Sequence, residues 1–307
     1  MNTHRLAADI FARAPETPKV YSFIFKCAIF KFDFCNQNCL RLRHFQEKIM
    51  ILTGDYHTHT PYSHGKNTVL ENTMAAKKLG LKEIAITDHG FNHLLFGLKR
   101  KRLPDLRAEI EEAKKLTGLN VLMGMEANLI SVDGRTDMKE SDLPAFDIYL
   151  FGVHEMLKYA SFGDMYNIML ANYIAYKSGK RPSDKIVNAT TRAYINAVKH
   201  NPVDILTHIN YKCCCDLKEV AKACADFGTY IEINTKKRHV SAEELNLMAQ
   251  TGARFVIDSD AHSGGRVGDT AIAEQLLKEA DISLDLIDNI DGRYPKFRFA
   301  EYKKQHA

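Results

Sequence analysis

His57 and His59 stand two residues apart in the stretch Asp55-Tyr56-His57-Thr58-His59, and Ser63-His64 follow shortly after. On an extended strand side chains alternate faces, so both imidazoles point the same way, at a spacing suited to gripping one metal ion. Similar groups recur down the chain. Asp88-His89 follow Thr87, Glu126 follows Gly124-Met125, His154 follows Gly152-Val153, and His208 follows Thr207. The run Asp258-Ser259-Asp260-Ala261-His262 closes the series and repeats the two-residue spacing at Asp260 and His262. Imidazoles and carboxylates without a thiolate suit Zn²⁺, Mn²⁺ or Fe²⁺. Seven histidines, Glu126 and Asp260 exceed what one tetrahedral ion uses, so two or three ions is the natural count. Glu126 is the expected bridge, because it is the one glutamate in the set and can give one oxygen to each of two ions.

Each of these groups sits at or just past the end of an apolar segment. The segments read as strands at 51–56, 83–87, 120–125, 147–153, 204–207, 230–234 and 254–257. Helical patterns alternate with them at 68–79, 104–116, 217–227, 242–251 and 270–279, while a longer helical stretch at 163–200 is divided by Pro182. Strand–helix alternation with buried strands predicts a parallel sheet with helical crossovers, and seven strands favour a closed α/β barrel over an open sheet. In such a barrel all strand C-termini meet at one mouth, where active sites form.

Residues 1–49 differ from the rest. They show no clean periodicity, crowd aromatics between Phe23 and Phe34, and scatter Cys27, Cys35 and Cys39. Cys35 and Cys39 lack a second pair and are not read as a zinc site. Met50 immediately precedes the first core strand and is the expected start of the fold, with 1–49 a peripheral extension to a domain at 50–307. The net charge of +4 comes entirely from this extension, which holds eight Lys/Arg against four Asp/Glu. The balanced remainder argues against a binder of long nucleic acid. No apolar run approaches a membrane span, and the seven cysteines have no framework spacing, so a cytoplasmic protein with free thiols is expected.

The order His-x-His, Ser-His-Gly, Thr-Asp-His-Gly, Gly-x-Glu-Ala-Asn, Gly-x-His-Glu, Thr-His and Ser-Asp-Ala-His resembles the PHP (polymerase and histidinol phosphatase) family, in particular its stand-alone phosphoesterases. The likeness runs from Met50 to about Ala280, and all nine metal-ligand positions of the family are filled. It implies a distorted (β/α)7 barrel with a three-metal centre at the C-terminal ends of the strands. By carry-over, His57 and His59 bind one ion with Glu126 and Asp260. His64, His89 and His262 bind a second, and His154 and His208 bind a third with Glu126. The chain departs from the family at Ile209, where proline is common, and at Asp258, where glycine is common. The segment 156–202 is a helical insertion longer than in compact relatives.

The implied reaction is attack of a metal-bound hydroxide on the phosphate ester of a small molecule, histidinol phosphate or a nucleotide phosphate, with Glu126 and Asp260 positioning the hydroxide. Two other readings are a nuclease or nucleoside bisphosphate phosphatase, and a non-catalytic metal-binding module. For substrate phosphate the candidates are Arg266, Lys236 and Lys158. Lys177, Lys180, Arg181 and Lys185 form a basic cluster that could steer anions. His93 and His239 could donate to a leaving group. Cys213-Cys214-Cys215 are expected to be buried or half-buried thiols, since consecutive residues cannot all aim at one centre.

Overall fold

A computed structural model describes residues 50–306, so the expectations for 1–49 lie outside the described residues. The strands are β1 (Gly54–Asp55), β2 (Glu83–Ile86), β3 (Asn120–Asn128), β4 (Ile148–Gly152), β5 (Ile205–Leu206), β6 (Tyr230–Asn234) and β7 (Phe255–Asp258). All pair in parallel and in chain order. The helices are α1 (Val69–Lys78), α2 (Leu103–Thr117), α3 (Phe162–Met165), α4 (Ala171–Lys177), α5 (Asp184–His200), α6 (Leu217–Phe227), α7 (Ala242–Ala249), α8 (Ala271–Glu279) and α9 (Arg298–Gln305). The sheet curls into a nearly closed barrel. Among the described residues no helix is long and apolar enough to cross a membrane.

Strand alternation fills this barrel in two layers. In β4, Ile148 and Leu150 pack with Ala85, Ile205, Tyr230 and Val256 inside the barrel, while Tyr149 and Phe151 pack outward against the helices. Phe297 closes the lower end edge-on against Tyr56, with ring centroids 5.0 Å apart. Moving two residues up an inward face changes its chemistry. Above Leu122 on β3 come Gly124 and then Glu126; above Tyr230 on β6 comes Glu232; above Val256 on β7 comes Asp258. The interior is thus apolar below and polar above, and the polar layer is the floor of the mouth.

The first strand is shorter than the apolar run predicts, because its pairing with β7 is made chiefly by side chains. Tyr56 N–H donates to Asp258 Oδ1 (2.7 Å), and Ser259 N–H and Oγ donate to the two Asp55 oxygens (3.1 and 2.5 Å). Main-chain pairing resumes at His59 N–H to Ala261 O (2.8 Å) and Ala261 N–H to His57 O (3.1 Å). Asp258 therefore has a structural task, which accounts for a carboxylate at the position where the resemblance leads one to expect glycine. Burial and the neighbouring Asp55 hold Asp258 well above the usual carboxylate range.

The insertion is helical and is broken around Pro182, as its pattern predicts. α3 passes through a π-turn (Tyr166–Leu170) into α4, and Gly179 and Pro182 separate α4 from α5. β3 runs farther than expected, to Asn128, and so carries Glu126 on a hydrogen-bonded strand. Short 3-10 turns and α9 complete the described chain.

Candidate metal centre

Glu126 is fully buried at the middle of the mouth and has an imidazole at four points around it. Its Oε2 lies 3.2 Å from His57 Nε2 and 2.9 Å from His89 Nδ1. Its Oε1 lies 3.0 Å from His154 Nε2 and 2.7 Å from His208 Nε2, and accepts a hydrogen bond from Thr207 Oγ1 (2.9 Å). Asp260 Oδ1 faces His59 Nε2 (3.3 Å), His262 Nδ1 (3.3 Å) and His57 Nε2 (3.8 Å). His64 joins through its ring, with centroids 4.1 Å from His262 and 4.8 Å from His89. All nine side chains singled out by spacing are thus neighbours at one mouth.

Three compact triads stand out: His57, His59 and Asp260; His89, Glu126 and His154; His59, His89 and His262. The first lies within the set implied by the resemblance, which adds Glu126, and the second has His89 where the resemblance implies His208. The third differs, because His59 rather than His64 completes the compact group with His89 and His262. His59 and His89 are each shared between two triads, so the side chains form a continuous cluster instead of three separate clusters.

The donor set fits divalent ions on a specific observation. Glu126 Oε2, His89 Nδ1 and His154 Nε2 are buried and close together, yet none makes a hydrogen bond of acceptable geometry. His57 Nε2 and His59 Nε2 face each other at 3.1 Å. Buried polar atoms are normally hydrogen-bonded. Atoms that instead converge on shared space are arranged as ligands around a cation.

The outer partners fix the rings in that pose. His57 Nδ1 meets Glu232 Oε1 at 2.6 Å, and His154 Nδ1 meets Asn128 Oδ1 at 2.8 Å, which leaves each Nε2 aimed inward. The other Glu232 oxygen accepts from His208 N–H (2.6 Å) and Asn234 Nδ2 (2.9 Å). Asn128 is held in turn by Asp137 (2.6 Å). Sequence reasoning missed Glu232, Asp137 and Asp55. Glu232 was discoverable, since it interrupts Tyr230-Ile231-Glu232-Ile233-Asn234 on the same face as Asn234.

The charges are strongly coupled. Burial raises the Glu126 carboxyl, but His154 and His57 outweigh it and hold the group well below its ordinary range. Asp260 is likewise held well below, against burial, by His57, His59 and Lys236. Burial lowers His57, but Glu126, Glu232 and Asp260 hold it well above the ordinary imidazole value. Burial and neighbouring imidazoles push His89 down to about 3 and His64 to about 4. His64 and His89 are thus neutral rings beside ionised carboxylates, as ligation needs, whereas His57 is held protonated by its carboxylate neighbours and must release that proton to ligate.

The phosphate candidates separate. Lys236 lines the cavity above the cluster, its Nζ 3.2 Å from Asp260 Oδ1 and 3.1 Å from His262 Nδ1. Arg266 does not line it: its guanidinium donates to Thr235 O (2.8 Å) and pairs with Asp269 (3.1 Å). Lys158 does not line it either, and its main chain pairs with Asn92. His93 and His239 do line the cavity, as do Tyr211 and Lys212, which the sequence did not single out. Cys213 and Cys215 are buried and Cys214 is half-buried, all free thiols.

The PHP domain model matches residues 55–236. A probable phosphatase of Thermoanaerobacter sp. strain X514 is 32% identical over 271 residues, covering 83% of this chain and 98% of the relative. A probable phosphatase of Caldanaerobacter subterraneus subsp. tengcongensis is 30% identical, with 83% and 93% covered. Among solved structures, a histidinol phosphate phosphatase from Lactococcus lactis, complexed with zinc, L-histidinol and phosphate, aligns with TM-score 0.52 at 18% identity, covering 75% of this chain and 94% of that one. At that identity the likeness concerns the fold. With its mouth of imidazoles and carboxylates, the chain belongs to the PHP domain family and is a metal-dependent phosphoesterase.

Proposed function

We propose that this enzyme hydrolyses phosphomonoesters of small molecules, using two or three divalent ions held by His57, His59, His64, His89, Glu126, His154, His208, Asp260 and His262. The observation that carries the reading is Glu126, buried with both oxygens facing imidazole nitrogens, three of whose rings (His89, His154 and His208) line a cavity of about 570 Å³. That volume suits a small ligand better than a nucleic-acid strand. When bound, such ions neutralise charge on phosphoryl oxygens and activate water. Histidinol phosphate, acted on by the Lactococcus enzyme, is one substrate to test, and mononucleotides are others.

The chain's own residues supply the rest. Glu126 and Asp260 stay ionised, so they balance the positive charge and accept hydrogen bonds from water at the reacting phosphate. Lys236 places its ammonium beside Asp260 and His262, where it can meet an anionic phosphoryl oxygen. Burial lowers His93 to about 4, so its ring is neutral near pH 7. Phe96 N–H donates to His93 Nδ1 (3.1 Å), which leaves Nε2 as the protonated nitrogen. His93 thus offers the leaving oxygen a hydrogen bond rather than a full proton. Leu95, Phe96 and Met156 add apolar surface to the wall of the mouth.

Hydrolysis assays with Mn²⁺ or Zn²⁺ over p-nitrophenyl phosphate, histidinol phosphate, mononucleotides and oligonucleotides test this reading. Turnover of the small monoesters well above that of the oligonucleotides supports it. Preference for oligonucleotides, or no turnover with either metal, overturns it.

A further inference from the structure

A second cavity of about 340 Å³ adjoins the one above the cluster, and the two share Tyr176, Tyr211, Lys212, Lys237 and His239 as lining. The annex is also lined by Lys180, Arg181 and Arg238, and no carboxylate lines it. Three of its five cations are balanced by acids outside its wall. Arg181 pairs with Asp184 (2.7 Å), Lys212 with Glu155 (2.8 Å) and Arg238 with Glu279 (2.6 Å). Lys180 and Lys237 have no ion pair among the described residues. Two uncompensated ammonium groups around one concavity create a positive potential that favours an anion.

The wall between the cavities is built under strain. The loop leading from His208 to Cys213 is left-handed at His208 (φ 25°), Asn210 (φ 71°) and Lys212 (φ 50°), none of them glycine. Each such residue costs on the order of 1 kcal/mol. The inserted helices hold the loop in this form: Cys214 N–H donates to Asn172 Oδ1 (3.0 Å), and the Thr190 hydroxyl donates to Cys214 O. The insertion and the strained loop therefore keep Tyr211 and Lys212 at the junction of the two spaces. Lys212 Nζ lies 5.0 Å from the Tyr211 ring centre and 5.8 Å from that of Tyr176.

We propose that this annex is a subsite for a second anionic group on the substrate. The enzyme then acts on small phosphomonoesters that carry a further phosphate or carboxylate at the far end of an organic spacer. The reacting phosphate sits over Glu126 and Asp260, the spacer packs on Tyr176 and Tyr211, and the distal anion meets Lys180 and Lys237. This assignment rests on the phosphoesterase reading above.

Steady-state kinetics on the Mn²⁺-loaded full chain test it. The substrates are p-nitrophenyl phosphate, α,ω-alkanediol bisphosphates and ω-phosphonooxy carboxylates of graded length. One spacer length should raise kcat/KM about tenfold over p-nitrophenyl phosphate, mainly through KM, the size of one charge-assisted hydrogen bond. Lys180→Glu should abolish that preference and Lys180→Arg should keep it. The bisphosphate and carboxylate arms identify the distal group. Hydrolysis of p-nitrophenyl phosphate without a preference for any two-anion substrate, or with one that survives Lys180→Glu, overturns the annex and leaves the phosphoesterase reading standing. Absence of all turnover overturns the phosphoesterase reading instead. Calorimetric binding of 1,4-butanediol bisphosphate then decides the annex: about tenfold weaker binding to Lys180→Glu supports it, and equal binding overturns it.

Discussion

At the scale of single residues, Glu126 differs from the other eight candidate ligands because imidazoles face both of its oxygens, His57 and His89 one, His154 and His208 the other. Glu126→Ala should therefore lose metal and activity together, which elemental analysis and p-nitrophenyl phosphate turnover on the same preparation check. Glu232 acts through His57 and the His208 main chain. Glu232→Gln keeps the shape but loses the charge beside His57 Nδ1, so metal affinity or kcat/KM should fall roughly 10–100-fold with the fold intact. A titration showing wild-type metal affinity and activity contradicts the positioning role. The inward ligands were legible in the sequence because each breaks an apolar strand end with a group that has little other reason to be there. Lys236 and Arg266 show where that legibility stops. Both follow a strand end, but the short turn at Gly264–Arg266 delivers the guanidinium to Asp269 and to Thr235 O, the latter a contact with no local sequence signature.

At the scale of elements, β4 and β5 are held so close that β4 must end in glycine. A Cβ on Gly152 would meet Thr207 Oγ1 and, at 2.7 Å, His208 Cε1. Gly152→Ala should therefore displace His208 and weaken metal binding more than it lowers the melting temperature, which a metal titration beside a thermal melt resolves. At the other end of β5, Asp204 is buried and accepts from Tyr149 N–H (3.0 Å) and Phe299 N–H (2.9 Å), tying α9 to the barrel. Burial raises this carboxyl to about 7, against the pull of those amides and Arg298. The folded pKa lies above the unfolded one, so this stabilisation is complete below about pH 4 and is lost as pH rises through about 7, by at most about 4 kcal/mol. Asp204→Asn lacks the titration and leaves one amide poorly paired, at a cost of about 1–3 kcal/mol. In urea unfolding with chelator present throughout, the stability gap between wild type and variant should narrow from pH 4.5 to 7.5; a constant gap contradicts the assignment. The helices were legible from their period, as at 217–227, where the structure adds an Asp216 N-cap and a left-handed Gly228 C-cap to α6. β1 is a two-residue strand because side chains of Asp55 and Asp258 make the neighbouring contacts, which periodicity does not encode.

At the scale of the whole molecule, the barrel has one seam, and the candidate metal centre spans it. His57 and His59 leave β1 on one side, while Asp260 and His262 leave β7 on the other. Below them the seam depends on Asp55 and Asp258, two buried carboxylates whose burial raises both. Asp260 holds a left-handed backbone (φ 47°) beside it. An ion shared by His57, His59 and Asp260 would therefore join the ends of the sheet as well as supply chemistry. Ligand binding to the folded state alone stabilises by about 4 kcal/mol at a free concentration of 1,000 Kd. Chelation should lower the melting temperature by several degrees, a loss any metalloprotein could show. The seam makes a sharper demand, because local opening follows the weakest contacts. Hydrogen exchange at His59 and Ala261, whose amides cross the seam, should accelerate on chelation far more than exchange at Ile84 or Val121 in the paired β2 and β3. Uniform acceleration would mean that the ions stabilise the barrel generally, and that Asp55 and Asp258 close it unaided.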